Sequence, residues 1–259
     1  MLPASPEEVW EAVATAAGNA AWLFPNEIAL DGAGATAWEP PHRFAVRTEQ
    51  GDWFNALEYV IEGRAGGTSL LRYAHSGIFG EDWDAQYDAV AHHTDFYLHT
   101  LSEYLRHFKG HAATYIGEVP VGIEGPPASA RPDGFQRLQK ALGLPAQAVE
   151  GDSVRLSSPG LEPIEGVLHY VRPSFIGVRT DDALHCFFGR NAFGKPVAVS
   201  IHMFREGVDA HRLEQTWRQW LHRTLRIAAA HYAMHRLRRL DTLTSAPGLG
   251  PSVYAPRAR

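Results

Sequence analysis

The stretch LRYAHSGIFGEDWDAQYDAVAHHTDFYLHTLSEYL, residues 71–105, changes its rhythm halfway along. Over the first residues Leu71, Tyr73 and His75 oppose Arg72, the two-residue period of a half-buried strand. From about residue 81 the step becomes three and four. Trp83, Tyr87, Val90, Thr94, Leu98, Leu101, Leu105 and Phe108 fall on one continuous stripe. Lys109-Gly110 then supplies a cation and a C-cap, which predicts a helix over 81–108. A strand running into a long one-sided helix predicts that the helix lies on the apolar face of a sheet.

Working upstream, Ser5, Pro6 and Glu8 mark a helix start, and Val9, Trp10 and Val13 give it an apolar stripe. Gly18-Asn19 is expected to end it, with AAWLFP (20–25) as a second short helix. Alternation then predicts strands at 27–31, 43–49, 53–62 and 68–76, separated by Asp31-Gly32, Gly51-Asp52 and Gly66-Gly67. On these strands Leu57, Tyr59 and Ile61 oppose Glu58 and Glu62, while Phe44 and Val46 oppose Arg43 and Arg47. Such alternation describes an antiparallel sheet with one wet and one apolar face.

Working downstream, the same order of elements recurs. FQRLQKALG (135–143) reads as a short helix, with strands at 152–157, 164–171, 174–180, 184–189 and 197–204. A long helix over about 209–240 closes the unit, with Leu213, Trp217, Trp220 and Leu221 on its core side. The expected fold class is α+β: a helix-grip plan, a curved antiparallel sheet wrapped on a long C-terminal helix, in two tandem copies of which the second is divergent. The expected division is 1–110 for the first copy, 111–132 as linker, 133–240 for the second copy, and 241–259, rich in Pro, Gly, Ser and Ala, as a disordered tail.

Composition narrows the function classes. The 259 residues carry a formal net charge of -5, which offers no basic footprint for nucleic acid. Arg outnumbers Lys 21 to 3, read as a compositional bias of the genome. Cys186 is the single cysteine, which excludes an intramolecular disulfide and a cysteine-based zinc site. An acidic start and the lack of a long apolar run predict a soluble cytoplasmic protein with no membrane span.

Three strings resemble the SRPBCC (START-like) superfamily, in the branch similar to the C-terminal domain of the heat-shock-protein ATPase activator: PASPEEVWEAV (3–13), WEPPHRF (38–44) and the stretch quoted above. They fall in the family's order across most of 1–110; the second half resembles it only through element order and RLEQTWRQWL (212–221). Family members have a strand before the first helix, where here only Met1 and Leu2 precede Pro3, so the sheet is expected to lack an edge strand or the chain to begin late. The resemblance implies an apolar cavity between sheet and long helix, and members that bind lipids, perform cyclisations or assist a chaperone.

The candidate ligand wall combines strand and helix residues: Phe44, Val46, Leu57, Tyr59, Tyr73, His75, Trp83 and Tyr87. His75 is the candidate general acid/base; its bland reading is a core histidine bonded to a backbone carbonyl. Asp88, His92, Asp95 and His99 form a second stripe roughly 130° from the apolar one, expected to face solvent or a partner rather than to hold a metal. HYAMH (231–235) has zinc-helix spacing but Tyr where a metalloprotease needs Glu. The arginines along the last helix, Arg218 to Arg239, read as a solvated face. No nucleophile elbow or phosphate loop occurs, and Cys186 in LHCFF is expected to be buried and inert. The expected function is binding of a small apolar molecule or a protein partner, without catalysis, cofactor or metal. A cyclase or dehydratase using His75, with Tyr59 or Tyr73 as donor, and a chaperone ATPase modulator are the alternatives.

Overall fold

A computed structural model describes residues 1–26, 32, 34–50, 53–77 and 83–226, the side chains of Gln50, Trp53 and 83–87 excepted. Ser5 caps the first helix, α1 (Pro6–Ala14), in a capping box: its hydroxyl accepts the Glu8 N–H and Glu8 accepts the Ser5 N–H. The second helix, α2, is Ala16–Ala20 rather than 20–25. Thr15 explains the shift, because its hydroxyl accepts the Gly18 N–H and restarts the helix at once. The buried Asn19 amide then ties the two helices together, donating to the Val13 and Thr15 carbonyl oxygens at 2.9 Å each.

Four strands follow, β1 (Ala35–Glu39), β2 (Arg43–Gln50), β3 (Trp53–Arg64) and β4 (Thr68–Gly77), paired antiparallel in that order. Three lie where alternation predicts them; β1 escaped it, and the strand expected at 27–31 lies outside the described residues. Leu2 pairs with Ser69 on the outer edge of β4, where the resemblance implies a whole strand. The long helix α3 is Trp83–His107.

Residues 111–132, expected as a linker, carry β5 (Thr114–Ile116) and β6 (Ile123–Glu124). After them come α4 (Gly134–Leu142), β7 (Ser153–Leu156), β8 (Ile164–Arg172), β9 (Phe175–Arg179), β10 (Ala183–Phe188), β11 (Ala198–Met203) and α5 (Ala210–Leu225). The seven strands form one antiparallel sheet in the order β5-β11-β10-β9-β8-β7, with β6 also on β11. The supposed linker thus contributes strands because Tyr115, Ile116 and Ile123 pair with β11. The long helix expected over 209–240 is described to Leu225; HYAMH and the tail lie outside the described residues.

Every residue of β10 and β11 is buried, so their sheet is covered on both faces. Alternation separates the two coverings. Phe187, Val199 and Ile201 share a core with Trp217, Trp220 and Leu221 of α5. Leu184, Cys186 and Phe188 point the other way, towards α3. The same helix shares a second core with the four-stranded sheet, where Leu101 and Leu105 join Phe44, Tyr59, Ile61 and the apolar face of α1. The chain therefore forms a mixed α+β body with two antiparallel sheets and α3 between them, compact over Met1–Leu225.

The polar stripe of α3, expected to face solvent or a partner, does so at three of its four residues. Asp88, His92 and Asp95 are exposed, but His99 stacks on His169 of β8, ring centroids 5.3 Å apart. Phe96, two residues before Leu98 and so roughly 160° from it on the wheel, is fully buried against Tyr170, Phe175 and Phe188. The buried Glu103 on this face meets Arg106 at 2.8 Å and Arg179 of β9 at 3.3 Å. His169 occupies a bulge in β8, and a Cβ at Gly177 below would stand 2.3 Å from its ring.

Phe96→Ala should cost about 3–5 kcal/mol of unfolding free energy, as for large-to-small core changes, whereas Asp95→Ala next to it should stay within about 0.5 kcal/mol. Urea unfolding of both variants measures the difference. Equal, small effects would mean that α3 packs on only one sheet.

Candidate functional site

The strand residues expected to line a cavity do share one face of the first sheet. Register sets Phe44 opposite Tyr59 and Tyr59 opposite Tyr73, with Val46, Leu57 and His75 in the adjacent row. The Phe44 and Tyr59 rings stack at 5.9 Å, Tyr59 and Tyr73 lie 5.0 Å apart, and Tyr73 and His75 6.2 Å apart. Phe44 and Tyr59 are buried; Val46, Leu57, Tyr73 and His75 are half-buried. His75 Nε2–H donates to Asn55 Oδ1 at 2.5 Å, and burial lowers its pKa. Burial pushes the Tyr73 phenol up to about 12, opposed by a hydrogen bond with Thr94 of α3, and pushes Tyr59 up as well. The side chains of Trp83 and Tyr87 lie outside the described residues.

An opening lies elsewhere, between the seven-stranded sheet and the start of α5. It is an open cleft of about 1120 Å³. Asp209 sets its lip: the carboxylate accepts the Arg212 N–H at 3.0 Å and caps the first turn of α5. Leu213 and Trp217 of that helix face Ile201 and Met203 of β11 across the cleft, and Ile164 of β8 closes one side. Ile164, Ile201, Met203 and Trp217 are almost wholly buried behind the lining, and polar groups such as Glu162, Asp181 and Glu206 share the exposed wall with Leu161, Val208 and Leu213.

One buried histidine is among the lining residues. His185 of β10 is 8% exposed and its Nδ1 meets no hydrogen-bond partner. Alternation places it on that side of the sheet, since His185 shares the α5-facing side of β10 with Ala183 and Phe187. Burial lowers its pKa to about 4, partly offset by the Asp182 carboxylate, so the ring is neutral at pH 7. The sequence held the signal for this residue, a histidine inside the apolar LHCFF strand, but that string drew attention to Cys186. The thiol itself is buried on the other face, with its pKa pushed up to about 12 by burial, as an inert cysteine should be.

Two further buried imidazoles behave like His185. Burial lowers His202 to about 4, although its Nδ1–H donates to the Ala20 carbonyl at 2.8 Å, and burial with the nearby His99 lowers His169 to about 3. Among the described residues no group of three or more His, Cys, Asp or Glu side chains is placed to hold a metal ion, and no helix is long and apolar enough to cross a membrane.

The sequence matches no family model and no curated protein. Among solved structures the chain is similar to DynU16, a protein of the dynemicin biosynthetic locus, at 16% identity over 85% of this chain and 91% of that one, with a TM-score of 0.32. It is also similar to the di-domain ARO/CYC BexL from the BE-7585A pathway, at 12% identity over 95% and 97% of the two chains and a TM-score of 0.31. The di-domain ARO/CYC StfQ from the steffimycin pathway overlaps at 12% identity over 92% and 94%, with a TM-score of 0.28.

The three low-titrating histidines make stability depend on pH. Each binds its proton near 6.5 when unfolded and near 3–4 when folded, so between those values the unfolded chain holds more protons. Stability is fully present above about pH 6.5 and is lost as pH falls towards 4. The urea midpoint should therefore be lower at pH 5 than at pH 7.5, and His202→Gln should shrink the difference. A midpoint that holds or rises at pH 5 would contradict the buried neutral rings.

Proposed function

We propose that the protein is a binder of small organic molecules and that the cleft between the seven-stranded sheet and α5 is where it binds them. The observation that supports this most is the conjunction of an open cleft of about 1120 Å³ with a buried histidine, His185, among its lining residues, whose Nδ1 meets no partner. A buried polar atom without a partner is costly, and His185 carries one beside the cleft.

Binding is preferred over turnover for a chemical reason. General bases work best with a pKa near the operating pH, and His185 at about 4 is too weak a base for that role. His75 is lowered by burial too and already donates to Asn55. Among the described residues of the two candidate sites no hydrogen bond joins a Ser or Cys side chain to a histidine or carboxylate base. We also read the two sheet-and-helix sets as tandem helix-grip units, 1–110 and 133–240, in which 111–132 connects the units while lending strands to the second.

A neutral naphthalene fluorophore titrated into the protein should bind saturably, with the tighter equivalent in the cleft. Leu213→Trp, which fills the cleft from a half-buried position on the sheet-facing side of α5, should weaken binding at least about tenfold without lowering the melting temperature. Unchanged binding in that variant would place the ligand somewhere else.

The aromatic face of the first sheet supports a second ligand site, because Tyr73 and His75 remain half-buried beside buried Phe44 and Tyr59. Tyr59→Trp tests it. Raised thermal stability together with weakened binding of a second equivalent of fluorophore is the expected result; lowered stability with no change in binding would make this face packed core.

A further inference from the structure

His99 of α3 and His169 of β8 meet face to face, their rings 5.3 Å apart at an interplanar angle of 5°. Tyr170 borders the pair, its ring 4.9 Å from that of His99. His169 is buried, and among the described residues neither of its ring nitrogens has a hydrogen-bond partner; His99 Nε2 has none either. Unpaired buried nitrogens are costly, so the contact is held by its surroundings rather than by its own polar groups. The His169 ring lies over Gly177, the register partner of Cys186 on β10. One residue after His99, Thr100 Oγ1 stands 4.0 Å from Cys186 Sγ. A single turn of α3 therefore covers the row His169, Gly177 and Cys186.

The charges around the pair offer an imidazolium little. His169 faces His99 and His107 of α3, Arg179 of β9 and His185 of β10, all of them bases. His99 faces Glu103 on its own helix, Glu150 before β7 and Arg172 of β8. Glu103 already serves Arg106 and Arg179, with His107 3.6 Å away, and Glu150 already serves Arg172. Two charged rings stacked this closely would also repel each other where little water screens them.

We propose that this contact is an acid-sensitive latch: neutral rings keep α3 on the seven-stranded sheet, and a proton on either ring parts them and opens the row beneath while the rest of the body stays folded. Burial lowers the pKa of both rings, that of His169 to about 3, whereas a ring released to water takes its proton near 6.5. The open form therefore binds more protons as pH falls. The closed form is fully favoured above about pH 6.5 and loses ground from there down towards pH 3. His185 and His202 stay buried in the open form, which separates this local event from the global loss of stability in acid. The latch stands whether or not the cleft beside α5 binds a ligand.

Cys186, the single cysteine and 1% exposed, reports the opening. 4,4′-Dithiodipyridine labels thiols in mild acid. Its rate on the folded full chain is divided by its rate on the urea-unfolded chain at the same pH, which removes the thiolate dependence. From pH 7.5 to pH 5.5 that ratio should rise at least about tenfold, the gain from one ring that titrates only when open. Low urea should change it far less than the slope of global unfolding requires. His169→Gln should take about tenfold off the rise. His99→Phe, which keeps an uncharged ring against Tyr170, should also reduce it, so that either variant alone suffices. A rise that persists in full in the variants, a urea slope equal to that of global unfolding, or a ratio that holds or falls at pH 5.5 overturns the latch.

Discussion

Phe96 and Leu101 leave one helix in different directions, and both are completely shielded from water. Most helices in a two-layer α+β protein bury one stripe and wet the other. Here α3 has a sheet on each side. Leu101 and Leu105 share the core that holds Phe44 and Tyr59, and Phe96 enters the aromatic group of Tyr170, Phe175 and Phe188. The arrangement makes α3 a common wall: neither sheet has another element of that length to cover its inner face. Placing β10 and β11 out of water on both faces follows from it, because α5 alone covers just one.

A helix buried on two sides must dispose of polar groups that a one-sided helix would leave in solvent. The Thr100 hydroxyl returns to the Phe96 carbonyl at 2.9 Å. Glu103 is satisfied by guanidinium groups from its own helix and from β9. Histidines fill positions where a permanently charged side chain would need a partner, and they stay neutral there. The cleft occupies the complementary situation at the far side of the seven-stranded sheet. There α5 starts at Asp209 beside the sheet, and the space beneath its first turns is left to His185, Ile201 and Met203.

Sequence rhythm reached the strands and helices because period and turn chemistry are local. All five strands expected between 152 and 204 lie within a residue or two of β7 to β11, and the α3 stripe falls on the helix it predicted. What rhythm lacks is a count of partners. The wheel of α3 shows one clean apolar stripe, and His99 reads as part of a polar stripe until a second sheet is laid against it. The strands at 114–116 and 123–124 are too short to show alternation, and their pairing with β11 spans some eighty residues. His185 was visible in LHCFF, yet its meaning depends on where α5 begins to cover the sheet, which no local pattern encodes.

Gly177 lies directly beneath the His169 ring, so the two positions share one volume. Any side chain at 177 needs the bulge at 169 to give up its ring, and a ring at 169 needs a bare backbone at 177. The two positions are therefore coupled: an alanine at 177 requires the ring at 169 to move aside or to be replaced by something smaller.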